Sequence, residues 1–172
     1  MTRFLNVLLA AMLLPVATFA ADLKFAVVDT TYVFANTSAA ELARSELKDQ
    51  TESAQSFITK MEEQLREEEA RLLEKKKTLS TEKFAEEEAV FRQAYQEYRR
   101  KSQELQSKLT HQSMTKKQEI MLEIKNAVEA IAIKRNFDLV LPRTGVMYST
   151  ESVDISKDVL KKVNSMLKEK GL

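Results

Sequence analysis

The stretch ITKMEEQLREEEARLLEKKKTLSTEKFAEEEAVFRQAYQEYRRKSQEL, Ile58 to Leu105, decides the fold. In its first half Ile58, Leu65, Leu72 and Leu79 recur every seven residues, with Ala54, Met61, Glu68 and Lys75 between them. In its second half Phe84, Phe91, Tyr98 and Leu105 repeat the spacing, interleaved with Glu88, Tyr95, Ser102 and Leu109. Alternating steps of four and three keep one narrow seam of each helix turned toward a partner. Folding the chain at Thr78-Leu79-Ser80-Thr81 sets Leu79 against Phe84, Leu72 against Phe91, Leu65 against Tyr98 and Ile58 against Leu105. The residue numbers of every pair add to the same total, as an antiparallel hairpin requires. The rung between sets Lys75 against Glu88, an opposite-charge pair. With Ser80 as N-cap, Leu79 and Phe84 take the two positions of a hydrophobic staple. Glu82 then lies in the first turn, where the helix dipole favours an acid. The competing reading is one uninterrupted helix in a parallel coiled coil.

Working outward, residues 38–136 contain no Gly, Pro or Cys and are dense in Glu, Lys, Gln and Ala. Ser38 and Glu41 form a capping box at the start of this tract, and Asn136 suits the left-handed position at its end. Arms of this length reach roughly 60 and 80 Å at 1.5 Å per residue. After Leu109 the next apolar set is Ile120 or Met121, Ile124, Val128 and Ile131, which adds four residues to the heptad. Such a stutter unwinds a coiled coil. Either the arms separate or change partners near their base, or the helix is simply irregular there.

The flanks hold little. Phe25–Asp29 reads as a buried strand, followed by one or two helical turns from Thr30 to Ala35 capped by Asp29 or Thr30. Phe137–Leu141 is a second strand, Pro142–Gly145 a turn and Val146–Tyr148 a third strand. A last helix runs from about Ser156 to Lys170, with Ser156 as N-cap, Ile155 and Leu160 stapling it, and Val159, Val163 and Leu167 along one face. The expected fold class is therefore mainly α with a small β body: a long antiparallel coiled-coil hairpin on a strand-rich base. Its parts are 1–20, a leader; 21–37 with 137–172, the body; and 38–136, the arm, with its tip near 78–81. A body of about fifty residues buries too little to stand alone. Its apolar strand residues Val27, Val28, Leu139, Val140 and Leu141 are accordingly expected to meet other copies of the chain.

The first twenty residues have the form of a secretory signal peptide: Arg3, an apolar run from Phe4 to Leu14, then Pro15 and small residues with a cleavage site after Ala20. The apolar run is too short for an ordinary membrane span. Export normally permits disulfides, yet there is no Cys, so packing and oligomerisation must supply the stability. Lys and Arg number 27 against 26 Asp and Glu, a balance that gives no reason to bind nucleic acid. Catalysis has no candidates. His111 is the one histidine, in a polar helix, and Gly145 and Gly171 cannot make a phosphate-cradling loop. Acidic runs such as Glu67–Glu69 and Glu86–Glu88 read as solvated helix faces. No catalytic residue, cofactor or metal site is expected.

Charge and stray apolar residues remain. Glu41–Glu74 holds ten acidic and five basic residues, whereas Arg92–Lys117 holds seven basic and two acidic, so the arms should attract across the hairpin. Arg71, Lys75, Lys76, Lys77 and Lys83 make a basic tip, suited to weak contact with an anionic membrane surface or an acidic partner. The same lysines also serve as ordinary capping at a helix C-terminus. Phe57, Leu73, Val90, Met114 and Leu122 fall outside both ladders. They either cover the edges of the seam or spread a thin apolar surface along the arms, suited to adaptable contacts with unfolded chains.

In order, the pieces resemble the Skp/OmpH family of periplasmic chaperones. The likeness is carried by Ala26-Val27-Val28-Asp29, by Asn136-Phe137-Asp138-Leu139-Val140-Leu141, and by Val153-Asp154-Ile155-Ser156-Lys157-Asp158-Val159-Leu160. It implies an ATP-independent holdase for unfolded outer-membrane proteins. It also implies a homotrimer whose strands share one body and whose hairpins hang around a cavity. The chain departs from the family's usual basic character in being nearly balanced. An adaptor or structural protein docking a folded partner through the hairpin tip is the alternative.

Overall fold

The computed structural model describes residues 23–170, so the expected leader at 1–20 lies outside the described residues. The chain order is β1 (Phe25–Val28), α1 (Thr30–Asn36), α2 (Ser38–Lys75), α3 (Thr81–Arg135), β2 (Leu139–Pro142) and α4 (Ser156–Glu169). Two short 3₁₀ turns, Arg143–Gly145 and Glu151–Val153, bridge β2 to α4. No described helix is long and apolar enough to cross a membrane.

The long helices are the hairpin. α2 has 38 residues and α3 has 55, which makes them about 57 and 82 Å long at 1.5 Å per residue. They pack antiparallel about a turn at residues 76–80. Ser80 Oγ accepts the Lys83 N–H at 3.4 Å and so caps α3 as expected. At the other end Asn136 closes α3 in the left-handed conformation, at φ 53°. The start of α2 falls one residue earlier than the capping box suggested. Thr37 is the cap, its buried hydroxyl accepting the Ala40 N–H at 3.2 Å, while Ser38 bonds Asn164 of α4.

At the base, β1 and β2 form a two-stranded parallel sheet, Phe25 opposite Leu139 and Val28 opposite Pro142, with the whole hairpin as their crossover. The expected third strand at Val146–Tyr148 does not form. Pro142 lacks an N–H and a 3₁₀ turn follows it, so the chain leaves the sheet there. On β1's other edge Asp154 makes a single bridge to Val27, and the Ile155 N–H bonds the Val27 carbonyl at 2.9 Å.

The core sits wholly at this end. Ala26 and Val28 from the sheet meet Val33 of α1, Ala40 of α2, Ile120, Ile124, Ala127 and Ile131 of α3, and Val159, Val163 and Leu167 of α4. The base therefore has more to bury than the flanking segments alone suggested, because the last turns of the long helix belong to it. Ser156 opens α4 but is not its cap. Its amide and hydroxyl both donate to Asp154 Oδ1, at 2.8 and 2.5 Å, and its hydroxyl accepts the Asp29 N–H at 2.8 Å. One hydroxyl thus ties α4 to the end of β1.

Candidate functional site

Along the arms the heptad residues become a seam only one side chain wide. Ile58, Leu65, Leu72 and Leu79 on α2, and Phe84, Phe91, Tyr98 and Leu105 on α3, are all half-buried. Two helices alone cannot enclose a side chain from every direction. Tyr95 departs from its expected place. It is exposed and leans on Tyr98 with ring centroids 6.2 Å apart, while Ala94 takes the inward position. A straight helix drifts relative to a strict seven-residue repeat, and a small residue one place earlier absorbs the drift.

Outside the seam the arms are exposed, and large apolar side chains are scattered over them. Phe57, Leu73, Val90, Met114 and Leu122 are 47%, 60%, 63%, 56% and 56% exposed. They are spread along both arms, with charged residues between them in the sequence.

The opposite charges of the arms do little across the hairpin. Among the described residues a single ion pair crosses it near the tip, Lys75 Nζ to Glu87 Oε1 at 2.7 Å, in place of the expected Glu88. Glu88 instead pairs with Arg92 on its own helix at 3.8 Å. Further down, the Tyr98 hydroxyl donates to Glu62 on the opposite arm. That bond to a carboxylate, with partial burial and the charge of Glu62 beside it, raises the phenol above its usual range. The basic stretch at Arg99–Lys101 is largely neutralised on its own helix. Arg100 binds Glu97 at 2.6 Å and Glu104 at 2.5 Å, and the Arg100 hydrogen bond holds the Glu97 carboxyl below its ordinary value. Most charges point away from the seam, so they find partners one helical turn along rather than across it.

At the tip Arg71 pairs with Glu67, Lys75 with Glu87, and Lys76 lies over the Phe84 ring at 5.8 Å from its centroid. Lys77 and Lys83 are exposed and make no ion pair among the described residues. Of the five basic tip residues, Lys76, Lys77 and Lys83 thus have no carboxylate partner among the described residues.

A cavity of about 450 Å³ opens between Ala43 and Leu47 of α2 and Thr115 and Ile120 of α3, at the level of the stutter. His111 lies exposed on its rim. Small alanines on α2 face Gln112, Thr115 and Lys116 of α3, and Met114, the one apolar residue between Leu109 and Ile120, is exposed.

Of the body residues, Val27 and Val28 are buried within their own chain, Val140 is half-buried, and Leu139 and Leu141 are exposed. Met147 and Tyr148, just past β2, are also exposed. Periodicity could not flag this exposed loop, because it belongs to no regular element. Among the described residues no cluster of His, Cys, Asp and Glu is arranged to hold a metal ion.

The chain is similar to the chaperone protein Skp of Photorhabdus luminescens, at 26% identity over 144 residues, covering 84% of this chain and 87% of that protein. The Skp protein of Photorhabdus laumondii matches over the same 144 residues at 26% identity. The crystal structure of an OmpH-like outer membrane chaperone from Caulobacter crescentus superposes with a TM-score of 0.78, covering 85% of this chain and 86% of that one. At 16% identity it shows the shared fold. A family model described as outer membrane protein (OmpH-like) matches residues 24–163. The long helical hairpin on its small parallel-sheet base is thus the fold of a chaperone family and not of an enzyme, and this chain belongs to the OmpH-like family.

Proposed function

We propose that this protein is an exported, ATP-independent holdase that surrounds unfolded outer-membrane proteins with its helical arms and keeps them from aggregating. The observation that carries this reading is the division of the chain. Its packed core is confined to the base, while two long helices hold each other by a half-buried seam and leave Phe57, Leu73, Val90 and Met114 in solvent. Thinly spaced apolar side chains on a stiff arm give many weak contacts without one specific pocket, as a binder of varied unfolded chains needs. The Skp relatives support the same reading.

The functional unit is a homotrimer in this reading. β2 has no partner on its outer edge among the described residues, and Leu139, Leu141, Met147 and Tyr148 are exposed around it. A two-stranded sheet with an open, apolar edge is marginal by itself and is a template for pairing with another chain. Grouped arms enclose a cavity that one hairpin cannot. The leader at residues 1–20 is cleaved after Ala20 and delivers the protein to the periplasm. Lys77 and Lys83 at the tip give weak contact with an anionic membrane surface.

Light scattering tests the central claim. An outer-membrane barrel diluted from urea should stay clear in the presence of a stoichiometric amount of trimer. Unchanged aggregation would rule the holdase out.

A further inference from the structure

The root of the arm is packed more loosely than the rest. Thr37 and Ala40 are buried at the base, and the half-buried heptad seam takes over from Ala54 upward. Between these anchors Ala43 and Leu47 alone are half-buried on α2, and the facing stretch of α3 offers only Gln112 and Thr115 before Ile120. Cavities run along this stretch. The one of about 450 Å³ shares Gln50 and Gln112 with a second of about 460 Å³, lined by Ala54, Phe57, Leu105 and Leu109. A third, of about 150 Å³, lies among Leu42, Ile120 and Leu122. Gln112 Oε1 is buried without a hydrogen-bond partner among the described residues, which a well-packed seam would not leave.

The exposed apolar side chains of the arm gather at the same height. Leu42 and Phe57 on α2 and Met114, Met121 and Leu122 on α3 edge this stretch, whereas Leu73, Val90 and Tyr95 are alone on the longer run from Ile58 to Leu105. Charges of both signs rim the cavities, Glu46, Asp49 and Glu119 beside Lys108, Lys116 and Lys117, so no ion is favoured. Along α2 the two larger cavities centre near residues 45 and 53, about 12 Å apart at 1.5 Å per residue. That is the reach of about four residues of extended chain, and about twice what four helical residues span. We propose that the root of the arm is its client-binding cleft. Residues 41–53 open from residues 110–122 while their ends stay anchored. An extended apolar segment of an unfolded client fills the space, against Leu47, Phe57, Leu109 and Ile120. The identification of the partner as an unfolded client rests on the holdase reading above. Opening is easy where little apolar surface is buried, and a segment that binds the open form draws the arm toward it.

Three measurements on the full chain test this. Amide hydrogen exchange of the free protein should be about tenfold faster in residues 41–53 than in residues 58–72 of the same helix. Phe57→Ser with Met114→Ser removes two exposed apolar side chains at the root and should weaken binding of an unfolded outer-membrane barrel about tenfold. Leu73→Ser with Val90→Ser, a pair at least as exposed but higher on the arm, should leave binding almost unchanged. Glu46→Cys with Lys116→Cys, at exposed residues on the rim of the 450 Å³ cavity in a chain without native cysteine, lets a short bis-maleimide tie the cleft shut. Tying it should weaken the barrel's binding by a similar factor, because the competent state is closed off. The same link between Gln64→Cys and Lys101→Cys, beside the zipped seam, should cost nothing.

Even exchange along α2, equal losses from the two serine pairs, or full binding by the tied protein overturns the proposal. So does protection of residues 41–53 that grows with protein concentration alone, which means that a second copy fills the cleft. Aggregation of the barrel is measured beside it. Suppression by the parent with no difference between the serine pairs sinks the cleft alone, whereas absent suppression by the parent sinks the chaperone reading and with it the client as the cleft's occupant.

Discussion

Asp154 joins three elements through one carboxylate. It receives the Ser156 amide and hydroxyl at the start of α4 and pairs with Arg143 Nη1 at 2.6 Å. Burial works against its ionisation, but the Ser156 bonds and the Arg143 charge outweigh it and hold the carboxyl below its ordinary value. A depressed folded-state pKa means that its stabilisation is present above the unfolded value, near 4, and is lost as pH falls through the lower folded value. Asp154→Ala, which removes the acceptor of both Ser156 bonds, should therefore cost about 1 kcal/mol at pH 7, by analogy with loss of a helix cap. Chemical denaturation at pH 7 and at pH 3 checks this, and the gap between variant and parent should narrow at the acid end. Asn136 offers a second residue-scale test through its φ of 53°. Asn136→Ala should lose about 1 kcal/mol, because the β-carbon stays in the left-handed region without the short polar side chain that makes Asn tolerate it, whereas Asn136→Gly should be nearly neutral. Equal melting of the two variants would count against the cap.

At the scale of elements, the hairpin is a matter of register. Deleting residues 65–71 together with 92–98 removes one heptad from each arm and keeps every remaining rung paired. The arms should shorten by about 10 Å and still melt cooperatively. Removing 65–71 alone should leave the seam of the longer arm unpaired and broaden the melt measured by circular dichroism. The hairpin was readable from Ile58 to Leu105 because the seam repeats and its turn carries a cap and a staple, three local signals that agree. The base was less readable. Val146–Tyr148 looks like a strand by composition, yet strand formation depends on a neighbour to pair with, and Pro142 turns the chain away first. Lys75 was set against Glu88 because heptad positions fix backbones to a rung, while a long flexible side chain chooses the carboxylate within its own reach, that of Glu87. Glu123, buried on α3 and paired with Lys170 at 2.6 Å, escapes a linear reading for a similar reason. An acid on a polar helix reads as solvated until α4 covers it, and nothing in a linear pattern says that it will.

For the whole molecule, base and arms divide the labour of stability and contact. If copies join through the open edge of β2, Leu139→Glu with Leu141→Glu should leave a folded monomer, since both side chains are exposed in the single chain. Native mass spectrometry should then show the single chain where the parent shows three. The melting temperature of the parent, unlike that of the variant, should rise with protein concentration. The parallel pairing of Phe25 with Leu139 has a consequence in time as well as in space. If the chain is exported, as proposed above, its first strand leaves the translocation channel early and has no neighbour until nearly the whole hairpin has followed it. Closing a flexible loop of that length would be slow, but two arms zipping from their turn carry the ends of the loop together. A chain exported in this way stays unfinished while it is threaded through a pore, and its base locks only after the last helix has come free.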